Sequence, residues 1–484
     1  MLFNSFQFLW LFPLVFVLYY SVIKFMSKGF DKSLLIRFSN VLLLLISYAL
    51  YLQWNPYFTI VLLWITIVTY LGAICLERLE HKKKVLIWVL AAGALAPLFI
   101  FKYYNFLLGF FSDILASVGC TVGIPGVNWA IPLGISFYSF QAVGYLFDVY
   151  HQRIKAERDL LDYMLFVSFF PQLASGPISR SQDLLPQIKS NRVFDAYKAT
   201  IGLRWLLWGM FLKVVVADRL GVYVDKVYDS YMYQSGISCA FAAFMYSFQI
   251  YADFAGYSLM AIGVGRLMGF DLINNFNRPY CASSITEFWK RWHISLTRWL
   301  TTHVYIALGG NRCSTTRQYW NIMATFLVSG LWHGANWTFV VWGAIHGVLQ
   351  ILEKFFGLDP KGHLSQSTWL KSLKPLRILI TFVLVTIAWV FFRMPSIDTA
   401  LDFFNHMFSN HQLVLFSPAP DTMLLVFAAL LCIVLKDWIE ELYPNVKLMG
   451  NKSVIVRWLS YIVLVVWILL GGVFDASNFI YANF

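Results

Sequence analysis

Apolar stretches of bilayer length follow one another along the chain with short polar breaks. They run over 6–24, 40–53, 57–76, 86–101, 130–150, 198–217, 237–264, 320–350, 376–393, 421–436 and 453–474. A spanning helix needs roughly 20 mostly apolar residues to cross a hydrocarbon core about 30 Å thick. The pattern therefore predicts an all-α polytopic membrane protein with about eleven transmembrane helices. Three further stretches are apolar but irregular. LLDYMLFVSFFPQLASGP (160–177) carries Pro171 and the Gly176-Pro177 breaker, which suits a re-entrant or half-length element walled in by other helices. Residues 103–119 are aromatic and short, and 285–300 is amphipathic. Linker-like sequence is confined to 355–375, and no internal repeat is found, so residues 1–484 read as one membrane domain.

Composition supports this pattern. The chain is 59% hydrophobic and 13% charged, against about a quarter charged for a soluble domain. The first 23 residues hold no Lys or Arg, and Lys24, Lys28, Lys32 and Arg37 follow the apolar run. That order opposes a cleaved leader and predicts a retained first span with its N-terminus outside, on the periplasmic side if the membrane is a bacterial inner membrane. Basic loops at 77–84 (ERLEHKKK) and 151–159 (HQRIKAERD) alternate with base-free ones around Trp54-Asn55-Pro56 and 103–129, as a consistent orientation requires. The net charge of +12 is thus a positive-inside bias, and no basic face interleaved with aromatics points to nucleic acid. Six cysteines with no CxxC pair indicate neither a disulfide framework nor a metal site.

Few residues carry chemistry in so apolar a chain. In 328-VSGLWHGANWTF-339, His333 lies eleven residues into the run that begins near Ile322, roughly 17 Å deep at about 1.5 Å per residue. An ionisable group at that depth is costly and functional by default, and burial favours the neutral imidazole that a general base requires. The alternative is a histidine that bridges helices as structural glue. Gly330 and Gly334 flank it, where they would permit close approach of a ligand or helix, and Asn336 follows at helical distance, suited to an acyl carbonyl or to a helix contact. On a straight helix His346 would lie roughly 20 Å further on, near the interface.

In 287-EFWKRWHISLTRWL-300, helical spacing aligns Trp289, His293, Leu296 and Leu300, with Arg291 and Arg298 on another side. Such a helix would lie at the cytoplasmic interface with His293 pointing inward. Asp253, well inside 248-FQIYADFAGYSLMAIG-263, needs a partner, and Arg204 and Arg278 are candidates. No GxSxG elbow, P-loop or HExxH is present.

With these residues in view, the chain resembles the membrane-bound O-acyltransferase (MBOAT) family, and within it the bacterial alginate O-acetyltransferase membrane-subunit branch. The matching segments are ISFYSFQAVGYLFDVY (135–150), FFPQLASGPISR (169–180), YADFAGYS (251–258), RPYCASSITEFWKRWHISLTRWL (278–300), ALGGNR (307–312), SGLWHGANWTFVVWGAIHG (329–347), WVFFRM (389–394) and the terminal FIYANF (479–484). WHISL and GLWHGA stand about forty residues apart. The chain departs from the branch in two places: Leu259 replaces an acidic residue after YS, and Thr301-Thr302 replace an Arg-Asp pair.

The resemblance implies a disc of tilted helices around a central funnel open to the cytoplasm. It implies His333 as the catalytic residue and His293 as a second site residue. It also implies a cytoplasmic acyl thioester as donor, acetyl-CoA being the simplest, with no permanently bound cofactor. The acceptor would be a hydroxyl of an exported polysaccharide, with a periplasmic SGNH-type transferase completing delivery. In this scheme Lys290, Arg291, Arg298 and Arg312 would counter the donor's phosphates, and Asn336, Asp253 and Trp332 would line the substrate path. Within the class, peptidoglycan O-acetylation and teichoic-acid D-alanylation are the alternatives. A proton-coupled transporter or flippase using Asp253 and His333 is the rival from another class.

Overall fold

The computed structural model describes residues 3–79, 81–120, 125–417, 420–447 and 449–474. The terminal FIYANF segment lies outside the described residues. Regular structure among the described residues is entirely helical. Among the described residues, seven helices are long and apolar enough to cross a membrane: Phe6–Met26, Lys32–Leu52, Pro56–Arg78, Lys83–Ser117, Ala196–Asp229, Lys374–Arg393 and Val454–Gly471. The polytopic all-α expectation holds, while the pattern's individual runs are redrawn. The 86–101 run continues through a π-helical turn at Phe99–Tyr103 into the Tyr104–Ser117 helix, so 103–119 is not a separate element. The 320–350 run divides into Thr315–His333 and Trp337–Phe355, each of 19 residues.

The helices group into two compact units, Met1–Leu203 with Ala261–Ile273, and Arg204–Met260 with Asn274–Phe484. In the first unit the irregular stretch at 160–177 is a Leu160–Ser168 helix followed by a four-residue turn, Phe170–Leu173. Broken backbone in an apolar setting must find partners for its polar groups. Here the Phe166 carbonyl accepts from Gln141 Nε2 at 2.6 Å. Gln172 Nε2 donates to Gln141 Oε1 at 3.0 Å, and the Ser179 hydroxyl donates to Gln172 Oε1 at 2.6 Å. A second hub is Arg192, 5% exposed, which donates to the Tyr19 hydroxyl, the Ile188 carbonyl and the Asn40 side chain.

In the second unit, Thr315–His333 and Trp337–Phe355 form an antiparallel hairpin. GLWHG and GAIHG each place glycines four apart, the spacing that lets two helix backbones meet. A Cβ at Gly330 would lie 2.3 Å from the Phe339 carbonyl oxygen, and one at Gly343 would lie 2.4 Å from that of Phe326. Asn336 starts the return helix as its N-cap, accepting from Thr338 N at 3.1 Å. Its Nδ2 donates to the Pro395 carbonyl at 2.7 Å.

The Ile285–Arg291 helix is seated on the hairpin at three points along one face of Trp337–Phe355. His346 Nδ1 accepts from Trp289 Nε1, Gln350 Nε2 donates to the Thr286 hydroxyl, and Glu353 accepts from the Ile285 and Thr286 backbone N–H groups. At the other end of this short helix Arg291 grips both oxygens of Glu441 at 2.9 Å and reaches Glu287 at 2.6 Å. Arg278 adds a further contact to Glu441 at 3.2 Å. The Arg291 hydrogen bonds hold the Glu441 carboxyl below its ordinary value of 4.5.

Two predictions follow from this packing. Gly343→Ala forces the hairpin backbones apart and costs roughly 1–3 kcal/mol, read as a lower unfolding temperature in detergent, whereas Ala344→Gly does not separate the helices. Because Glu441 is depressed in the folded state, its stabilisation is present above about pH 4.5 and is lost as pH falls below that value. The unfolding temperature of Glu441→Gln therefore falls less between pH 6 and pH 4 than that of the wild type, in the same assay.

Candidate active site

The expected helix over 285–300 is interrupted at the residue of interest. Ile285–Arg291 ends, His293 adopts a left-handed backbone with φ 42°, and Ile294–Leu300 begins. A non-glycine residue there is costly and persists only where its surroundings impose it. Asn275 imposes it: its carbonyl accepts from Ile294 N at 2.9 Å, and its side-chain Oδ1 accepts from Ser295 N at 3.0 Å and from the Ser295 hydroxyl at 2.9 Å. Arg278 on the same connecting segment is also left-handed, with φ 46°.

The Asn275 contacts fix the tautomer of His293. Nδ1 of His293 lies 3.2 Å from Asn275 Oδ1. A backbone N–H can only donate, so the atom shared with Ser295 N is an acceptor and Nδ1 carries the hydrogen. The lone pair is then on Nε2. A neutral ring in this state accepts a hydrogen bond or a proton at Nε2 and does not donate from it.

His333 ends the Thr315–His333 helix and is 2% exposed, while His293 is fully buried. Trp332 stands between the two, its ring centroid 4.8 Å from His333 and 5.7 Å from His293. Trp342 and Phe392 pack edge-on to His333 at 5.0 and 5.2 Å, and Phe254 packs edge-on to His293 at 4.6 Å. Both imidazoles thus sit in an aromatic block that excludes bulk water. The hairpin also corrects the position expected for His346. Instead of lying far along a straight helix near the interface, it is fully buried, and the Trp342 ring lies 5.0 Å from both it and His333.

A cavity of about 310 Å³ opens beside this block. Trp289, Leu296, Leu300, Ile322 and Phe326 give it apolar walls, Ser329 lies on its lining, and Lys290, Lys354 and Asp359 supply charge. Its lining stops at Ser329, one helical turn short of His333 on the same helix. Thr301, at one of the two departures noted above, belongs to the wall.

The expected basic cluster does not assemble as one group. Lys290 lines the cavity, joined by Lys354, which the sequence pattern did not single out. Arg291 is committed to Glu287 and Glu441, and Arg298 and Arg312 are exposed and are not among the lining residues. Asn336 serves the hairpin turn as a cap. Asp253, 1% exposed, pairs with Lys213 at 2.6 Å, and Lys213 also reaches Asp218 at 2.7 Å. The arginines expected to partner Asp253 are engaged elsewhere, Arg204 with the Tyr461 hydroxyl and Arg278 with Glu441. Lys213 was detectable as a lone cation in the apolar run 211-FLKVVVA-217. Asn275 carried no such signal.

Comparison with known proteins agrees with this architecture. Residues 2–396 match the family model of the membrane-bound O-acyltransferase family. The chain is 38% identical over 378 residues to the probable alginate O-acetylase AlgI of Pseudomonas aeruginosa, covering 77% of this chain and 70% of that one. It is 34% identical over 405 residues to the peptidoglycan O-acetyltransferase of Helicobacter pylori, covering 78% and 75%. A teichoic acid D-alanyltransferase of Streptococcus thermophilus matches at 29% over 287 residues, covering 54% and 68%. The chain is a multi-pass membrane O-acyltransferase and belongs to the MBOAT family.

Proposed function

We propose that this enzyme moves an acetyl group from a cytoplasmic acyl thioester, acetyl-CoA being the simplest, toward a hydroxyl of an exported polysaccharide, with His333 as general base. The observation that carries the reading is the pairing of a water-excluding aromatic block around His333 and His293 with an adjoining cavity whose lining includes Lys290 and Lys354. At about 310 Å³ the cavity suits the thioester end of the donor, leaving the bulky anionic part outside, near Lys290 and Lys354. Apolar walls of Leu296, Leu300 and Phe326 suit an alkyl thioester, and Ser329 offers a hydroxyl one turn from His333.

In the reaction the acceptor hydroxyl gives its proton to His333 as its oxygen attacks the thioester carbonyl. The C–S bond breaks, a C–O ester bond forms, and the proton passes to the departing thiolate. A thioester is already activated, so alignment and exclusion of water supply much of the rate. His293, with its lone pair on Nε2, is suited to receive a hydrogen bond from the acceptor hydroxyl or from an amide of the donor arm. Asp253 is assigned to the Lys213 ion pair and Trp332 to the wall between the histidines.

The polymer assigned is an alginate-like exported polysaccharide, following the 38%-identical relatives, with a periplasmic SGNH-type protein as the delivering partner and an inner-membrane location with the N-terminus outside. Peptidoglycan is the second reading, favoured by the 34% identity that extends over a comparable share of the chain. The test is His333→Ala in membranes where the protein's abundance is verified. Acetyl transfer from acetyl-CoA is expected to fall by about 10²–10⁴-fold, the range that general-base catalysis contributes. Activity within twofold of wild type removes His333 from the chemistry.

A further inference from the structure

The aromatic block contains a third buried histidine, for which the transfer reaction has no role. His346 is fully buried, and its ring is enclosed by Phe288, Phe326 and Trp342 at centroid distances of 6.3, 6.1 and 5.0 Å. An apolar side chain would fill that space without the cost of burying an imidazole. What histidine adds is one acceptor: Nδ1 receives the indole N–H of Trp289 at 3.3 Å. Trp289 can only donate, so the ring hydrogen of His346 is on Nε2, which makes no hydrogen bond among the described residues.

Comparison with neighbouring indoles gives this bond its meaning. Trp292 and Trp342 are buried in the same block, and their N–H groups find no acceptor among the described residues. Neither lines the cavity. Trp289 does, and it is the one provided with an acceptor. Its ring is wedged edge-on against Phe326 at 5.3 Å, Trp342 at 5.6 Å and His346 at 5.0 Å. An indole without that acceptor would turn its N–H toward the cavity or its water, and the wall would lose its fixed shape.

We propose that His346 is a positioning residue that locks the Trp289 indole as a wall of the donor cavity and so confines the transferred acyl group to acetyl-like length. The proposal rests on the reading of this cavity as the thioester site. A rigid indole here blocks a longer chain, as a pocket wall discriminates by the methylenes it excludes.

The test compares the full-length wild type with His346→Leu, His346→Asn and Trp289→Phe in membranes, using acetyl-, propionyl- and butanoyl-CoA. His346→Leu removes the acceptor, whereas Asn offers an oxygen near the place of Nδ1. Trp289→Phe removes the donor and opens the same wall by a different route. Expected for His346→Leu is a KM for acetyl-CoA raised about tenfold, the factor that one hydrogen bond is worth. Its kcat changes less, and its preference for acetyl over butanoyl drops about tenfold. Trp289→Phe shows the same loss of preference, the Leu/Phe double variant is no worse than either single variant, and His346→Asn restores the acetyl preference.

The proposal is overturned if His346→Leu lowers kcat equally for all three donors, or if Trp289→Phe keeps the wild-type preference. That second outcome is decisive even where His346→Leu fails to accumulate. A wild-type protein that turns over none of the thioesters overturns the donor reading itself. A wild type that is active, with variants whose preference is unchanged, overturns the positioning role alone.

Discussion

The backbone contact between Gly330 and Phe339, mirrored by Gly343 against Phe326, is the constraint on which the site depends. It folds a 31-residue apolar run back on itself and ends the first helix at His333. The reversal brings the second half of the run alongside the first, so Trp342 meets His333 and His346 together. A side chain larger than hydrogen at either glycine would separate the helices and pull this aromatic block apart. The short amphipathic helix carrying Trp289 and Lys290 then takes its place on the returning helix of the hairpin through His346, Gln350 and Glu353.

The second histidine is held by a different device. His293 does not ride on a helix face but sits in a left-handed kink drawn in by Asn275, which determines where its ring points and which nitrogen is basic. Strain of this kind is retained only where surrounding hydrogen bonds fix it. Charge within the same unit is balanced locally, with Lys213 between Asp218 and Asp253 and with Arg291 between Glu287 and Glu441. Those pairs fix helices and leave Lys290 and Lys354 as the basic residues of the cavity lining.

Much of this was legible in the residues, and the remainder was hidden for physical reasons. Depth and flanking glycines marked His333, and the WHISL and GLWHGA motifs indicated the family. The hairpin was missed when 320–350 was read as a single run, although Gly334-Ala335-Asn336 carries a signal for it, a helix stop followed by an N-cap. Helical periodicity misled at 285–300, because it reports which residues share a face of an unbroken helix and is blind to a kink imposed by Asn275, eighteen positions before His293. Likewise Asp253 declared its need for a cation, but only the fold selects Lys213 over the arginines. Arg291 looked available for phosphate until two glutamates, one of them 150 positions away, proved to hold it.

Lys354 lies on the cavity lining at the end of the hairpin opposite the Asn336 turn, and the proposed reaction takes its donor from one side of the membrane and serves an acceptor on the other. The most direct measurement uses sealed inside-out membrane vesicles from producing cells, with and without this chain. Acetyl-labelled CoA is supplied outside, and ester-linked label is followed on both faces. The account expects polymer-bound label in the lumen only when the chain is present. Label confined to the donor's side, or lumenal label that persists without the chain, would contradict it.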